Sequence, residues 1–207
     1  MHTGRGNALF YLHRQETTVI NNLAEMTPEQ QYQQLFEQMY ALCEANEWGD
    51  PFSYARSREI HMAGILGHTI ADDYSGADAY DQDGPCEYKS TIGKKLTATY
   101  NGISVQDTWE KQVEYIQEEK IGKYANHYYA RYESGKIQEI WRMDALDVIA
   151  ILLPNLKKQY ESTKVRKDPR LGYTIPNKMI QQFGTRVLWR LARCTPLPPH
   201  GSKPCIL

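Results

Sequence analysis

No apolar run in the 207 residues approaches the roughly 18 needed to span a bilayer. The first fifteen, MHTGRGNALFYLHRQ, lack the apolar stretch of a secretory signal. These absences predict a cytoplasmic protein with no membrane partner. Cysteine is scarce: Cys43, Cys86, Cys194 and Cys205 show no CxxC spacing, too scattered for a zinc site and too few for a disulfide scaffold. The closing PCIL puts Cys205 one position too late for a prenylation signal. There is no internal repeat, long linker or low-complexity block, so residues 1–207 are expected to form one domain.

Net charge is also small, at −1, but it is unevenly spread. From residue 157 onward eleven lysines and arginines face only Glu161 and Asp168, so the preceding body must be acidic. A basic C-terminal segment, about 157–194, is a phosphate-facing surface or a solvated helix face. Hydrophobic residues at 41% and charged residues at 24% suit a soluble globular chain with a real core.

Pattern divides the chain into elements. Thr27, Pro28 and Gln30 make a capped helix start, followed by Leu35, Met39 and Leu42 at helical spacing. A second helix runs through SREIHMAGILGH, carrying Glu59, with Ile60, Gly64 and Gly67 as a small-residue face for close packing on a sheet. HTIADDYSGADAYD and PCEYKSTI read as a hairpin turning at QDG. A third helix is predicted over SVQDTWEKQVEYIQEEK, capped by Ser104 and Asp107. ANHYYARY and KIQEIWRM flank ESG as a second hairpin, and DALDVIAILLPNLKKQYES is a helix that Pro154 kinks or splits. KVRKDPRLGYTIP reads as irregular, IPNKMIQQFG as a short helix and RVLWRLAR as a last one; residues 195–207 read as a mobile tail. The sum is a mixed α/β (α+β) domain with a central mixed β-sheet flanked by helices.

One stretch demands chemistry. In SGADAYDQDGPCEYKSTIGKK, Glu87 and Lys89 share one face of a strand while Tyr88 points to the other. An acid and an amine on a common face form either a plain ion pair or the lining of a polar site. Asp81 and Asp83 suit the QDG turn, and an EF-hand alignment fails because Ala79 and Ser90 fall on ligand positions. His61 and His68 are expected to pack or to face solvent, and Tyr128, Tyr129, Tyr132 and Trp141 to pack the second hairpin against a helix, with base stacking as the sharper alternative.

The order helix, hairpin, Glu-x-Lys strand, helix, strand, with Asp78, Glu87, Tyr88 and Lys89, resembles the PD-(D/E)XK nuclease superfamily over roughly residues 53 to 142. Gly76 and Ala77 precede Asp78, so the signature proline is absent. The resemblance implies a restriction-endonuclease-like catalytic core with Asp78, Glu87 and Lys89 catalytic. It implies Mg²⁺ held by Asp78, Glu87, the Tyr88 carbonyl and Glu59 as an outer ligand. Size and the basic segment make the chain similar to type II restriction endonucleases. That implies a homodimer cutting double-stranded DNA at a short sequence, in a prokaryotic or viral setting with a cognate DNA methyltransferase. Ser90, Lys94, Lys95, Asn101, Ser104 and Gln106, with Lys164, Arg166, Lys167 and Arg170, are the expected DNA contacts. A structure-specific repair or recombination nuclease, or a non-catalytic DNA-binding protein, is the alternative.

Overall fold

A computed structural model describes residues 26–72, 76–162 and 170–189, and by packing the chain divides into two compact units, 1–57 and 58–207. In the first unit, helix α1 (Pro28–Ala45) begins as its sequence dictates. The Thr27 hydroxyl accepts from the Gln30 N–H and the Gln30 side chain accepts from the Thr27 N–H, a complete capping box. Phe36 stacks on Phe52, and the Arg56 Nε–H donates to the Trp48 carbonyl at 2.6 Å.

The second unit is mixed α+β with a central mixed sheet flanked by helices. Helix α2 (Arg56–Leu66) enters it at Arg58. Strands β1 (Thr69–Ile70), β2 (Ala79–Asp81), β3 (Gly84–Ile92), β5 (Asn126–Glu133), β6 (Lys136–Asp144) and β8 (Thr185–Trp189) form the sheet in the order β1-β2-β3-β5-β6-β8. β3 and β5 are parallel; the other neighbours are antiparallel. A parallel pair needs a crossover. It is made here by β4 (Thr97–Ser104) and helix α3 (Trp109–Glu114), which continues into a π-helical turn, Tyr115–Lys120. Helix α4 (Ala145–Ser162) follows β6, and β7 (Arg170–Pro176) pairs with β4 in a second, two-stranded sheet before the short helix α5 (Asn177–Phe183).

One face of the central sheet holds the main core. Val148, Ile149, Ile151, Leu152 and Leu156 of α4 pack there against Tyr129, Met143, Ile116 and the inner residues of β4 and β7. Each such side chain contributes about 1.5–3 kcal/mol when fully buried. On the other face α2 is tied down from Arg58 onward: the Arg58 Nε–H donates to Ser90 Oγ, and the Tyr132 hydroxyl donates to the Arg58 carbonyl. From Arg58 onward the buried α2 residues are Met62 and Ala63; Gly64 is exposed with open space where a Cβ would stand, so the expected small-residue face does not form.

Both hairpins form, the second turning at Ser134 and Gly135, both at positive φ. Pro154 sits on the exposed side of an unbroken α4, where a missing hydrogen bond faces water. Three expectations are corrected. Ser104 ends β4, so it caps nothing; Thr108 caps α3, its hydroxyl accepting from the Lys111 N–H. Arg170–Pro176 is a strand, because β4 offers it a ladder. RVLWRLAR begins as strand β8 rather than a helix, since the open edge of β6 pairs with it and the β-branched Thr185 and Val187 suit a pleated edge. Residues 190–207, including Cys194, Cys205 and the expected tail, lie outside the described residues, as do 163–169. Among the described residues no helix is long and apolar enough to cross a membrane.

Candidate active site

The site arises because β2 is short. Its pairing with β3 ends at Ala79 and Cys86, leaving the next residues of β3 without that neighbour. Asp78 closes the gap. Its N–H donates to the Cys86 carbonyl, its own carbonyl accepts from the Ala71 N–H, and its carboxylate accepts from the Tyr88 N–H at 2.6 Å. A strand residue sends its C=O to the same edge as its N–H, so the Tyr88 carbonyl leaves on the Asp78 side.

Alternation then sets the chemistry. Glu87 and Lys89 project to the core-side face while Tyr88 turns away to hydrogen-bond His68 Nδ1 at 2.7 Å. Lys89 Nζ donates to Glu87 Oε1 in a half-buried ion pair. In register on β5 lie His127 beside Glu87 and Tyr129 beside Lys89. Tyr100, from β4, links them through its hydroxyl, 2.9 Å from both His127 Nδ1 and the Tyr129 hydroxyl. Lys89 Nζ also stands 5.5 Å from the Tyr100 ring centroid.

Electrostatics show crowded negative charge. Burial, then the Glu87 and Glu59 carboxylates, push Asp78 up to about 7 against the opposing pull of Lys89 and the Tyr88 N–H. Burial works against the Lys89 charge, but Glu87, Asp78 and Glu59 outweigh it and raise its pKa. Glu59 on α2 therefore belongs to the same charge cluster. Burial holds His127 down to about 4, so its ring is neutral at pH 7. Among the described residues no three His, Cys, Asp or Glu side chains gather closely enough to hold a metal ion by themselves.

A cleft of about 130 Å³ opens beside Glu87 and Lys89, walled by Tyr100 and Asn101 of β4 and by Lys120 and Tyr124 after α3. The Tyr124 hydroxyl donates to the Gly76 carbonyl at 2.8 Å and sits beside the Glu87 carboxylate. Lys120, Tyr124, Tyr100 and His127 escaped the sequence reading. Lys120 reaches the cleft through a π turn, and Tyr100 through β4, a stretch to which the sequence pattern assigns no element. His127 carried a signal, lying on a predicted strand of the second hairpin, but only the parallel register places it beside Glu87.

Of the expected DNA contacts, Asn101 lines the cleft. Ser90 points to the opposite face, bound by Arg58. Lys94 and Lys95 are exposed in the turn between β3 and β4, and Ser104 is exposed at the end of β4. Gln106 is held locally, its N–H donating to Gln112 Oε1 and its carbonyl accepting from the Tyr160 hydroxyl. Arg170 is exposed and opens β7 opposite Ser104. Lys164, Arg166 and Lys167 lie outside the described residues. Asp81 and Asp83 are turn residues, the Asp83 N–H donating to Asp81 Oδ1, and both carboxylates accept from Asn126 Nδ2. His61 is exposed on α2 and hydrogen-bonds the Tyr132 hydroxyl, and half-buried His68 packs edge-on against Tyr128. No protein-family model and no curated protein matches the chain.

Proposed function

We propose that the chain is a Mg²⁺-dependent endonuclease that hydrolyses phosphodiester bonds of double-stranded DNA, with a PD-(D/E)XK core and the sequence-specific action of a type II restriction enzyme. One observation carries the reading. Asp78, Glu87 and Lys89 share one half-buried edge of β3, with Glu59 in the same charge cluster and a cleft opening beside them.

The donor set fits a hard cation. Two carboxylates and the Tyr88 carbonyl are all oxygens, and Mg²⁺ is held by one or two carboxylates while keeping several waters. Asp78, Glu87 and Tyr88 would hold it, with Glu59 outside them. When bound, the ion supplies Lewis acidity toward the phosphate and the leaving oxygen.

The rest belongs to the chain's own side chains. Lys89 orients the attacking water and stabilises negative charge on the phosphate with its ammonium, kept protonated by the surrounding carboxylates. Tyr100 packs its ring against that ammonium, and its hydroxyl is locked by His127 and Tyr129, so Lys89 is held from below. Lys120 and Asn101, which line the same cleft, would meet phosphate oxygens or base edges. Duplex DNA has two strands related by a two-fold axis, so two copies would serve one site.

Incubating the purified protein with phage DNA and Mg²⁺, then mapping the ends, tests this. Discrete fragments with a common end sequence support the restriction reading. Cutting confined to branched or flapped substrates assigns a repair nuclease instead, and no Mg²⁺-dependent cutting overturns the enzyme reading.

A further inference from the structure

The carboxylates of Asp78 and Glu87 reach the site by different routes. Glu87 sits inside the β3 ladder, in register with His127 of β5. Asp78 lies just before β2, its backbone bonded to Cys86 and Ala71 and its carboxylate to the Tyr88 N–H. Two residues earlier Gly76 is exposed, and its carbonyl is tied across the fold by the Tyr124 hydroxyl at 2.8 Å, a bond that spans 48 positions of the chain. Tyr124 is itself well fixed. It is buried, its ring meets His127 edge-on with centroids 5.9 Å apart, and its N–H donates to the Ile121 carbonyl. The next N–H, of Ala125, donates to the Pro85 carbonyl at the start of β3. The same Tyr124 hydroxyl sits beside the Glu87 carboxylate. Burial, then Glu87 and Asp78, push the phenol pKa up, so the hydroxyl keeps its proton.

We propose that Tyr124 is a positioning residue that sets the spacing between Asp78 and Glu87 for a divalent cation. A hydroxyl has one proton to give, and the Gly76 carbonyl and the Glu87 carboxylate are both acceptors. Lys89 already donates to Glu87, so the Tyr124 proton goes to Gly76 and holds the segment 76–78 against the Glu87 edge of β3. Without that hydroxyl the Gly76 carbonyl loses its partner, and Asp78 is anchored only through its own bonds to Ala71, Cys86 and Tyr88. Mg²⁺ demands near-ideal octahedral geometry, so it is sensitive to the separation of its carboxylates. Outer hydrogen bonds that orient metal ligands are worth ~10–100-fold in metal affinity. A role in packing alone would need only the aromatic ring.

The inference deepens the metal site proposed above and rests on that reading. Its test reads metal binding and amide exchange in the full-length protein, so the two can fail separately. Tyr124→Phe keeps the ring against His127 and removes only the hydroxyl. Mn²⁺ binding is measured by electron paramagnetic resonance for the wild type, Tyr124→Phe and Glu87→Ala, and hydrogen exchange is followed at the Asp78 amide and along β5 and β6. Tyr124→Phe is expected to weaken Mn²⁺ binding ~10–100-fold and to speed exchange at Asp78, with β5 and β6 as protected as in the wild type. Cleavage by the variant should recover at high Mg²⁺, as a defect in metal affinity requires. Wild-type Mn²⁺ affinity or unchanged Asp78 exchange in Tyr124→Phe would overturn the proposal, while weakened binding in Glu87→Ala would leave the metal site standing. A wild type that binds Mn²⁺ no better than Glu87→Ala would remove the metal site and this role with it. Protection lost throughout β5 and β6 would make Tyr124 a packing residue and overturn the positioning role.

Discussion

At the scale of single residues, the site is a problem of charge placed where water is scarce. Asp78, Glu87 and Glu59 bring three carboxylates to one region with Lys89 as the cation set among them. If the proposed hydrolysis holds, Lys89→Ala removes the group that orients the attacking water and should lower cleavage ~10²–10⁴-fold. DNA binding measured with Ca²⁺ should fall far less. The Asp78 shift has a consequence for stability. Its carboxyl moves from 3.8 to about 7 on folding, so across that window the native state holds a proton that the unfolded chain has released. Stability from this group therefore falls as pH rises from 4 toward 7. Thermal melts from pH 5 to 8 without metal should show a declining melting temperature. Asp78→Asn should flatten the decline, and Mg²⁺ should offset it in the wild type alone. A wild-type profile that rises with pH and is untouched by Asp78→Asn would refute the shift.

At the scale of elements, the crossover between β3 and β5 builds the cleft. β4 supplies Tyr100 and Asn101, and the π turn after α3 supplies Lys120. That turn depends on Gly122, where an added Cβ would stand 1.8 Å from the Gln117 carbonyl oxygen. Gly122→Ala should cost about 1–3 kcal/mol in urea unfolding. Gly64→Ala, at an exposed helical position with open space, should instead stabilise by about 0.4–1 kcal/mol. Equal effects from the two would mean the π turn carries no constraint. These elements also mark how far the sequence could be read. The capping box at Thr27, the QDG and ESG turns and the Glu-x-Lys alternation are local signals, and each forms as its residues dictate. β4, β7 and β8 are set by which edges the tertiary fold leaves open, and no window of ten residues holds that information. The π turn hides for a related reason: YIQEEK keeps an ordinary helical composition, and only its packing widens the turn. Strand alternation puts Glu87 and Lys89 on one face and the resemblance singles out Asp78, whereas Tyr100 and His127 come to lie beside them through strand pairing and register.

At the scale of the whole molecule, the proposed engagement of duplex DNA turns on charge. The basic C-terminal quarter predicts counterion release. Replacing Lys164, Arg166, Lys167 and Arg170 together with glutamine should weaken DNA binding and flatten the slope of log K against log salt by up to about 0.9 per lost contact. Sequence choice should stay the same, because phosphate contacts position the protein without reading bases. An unchanged slope would make those residues a solvated surface. The most direct measurement is Mg²⁺-dependent cleavage of duplex DNA by the purified wild type beside Glu87→Ala, with both shown to be folded by circular dichroism. The account predicts discrete fragments from the wild type, none when Mg²⁺ is chelated, and cutting by the variant reduced at least ~10²-fold. Wild-type levels of Mg²⁺-dependent cutting by Glu87→Ala, or no cutting by either protein, would contradict it.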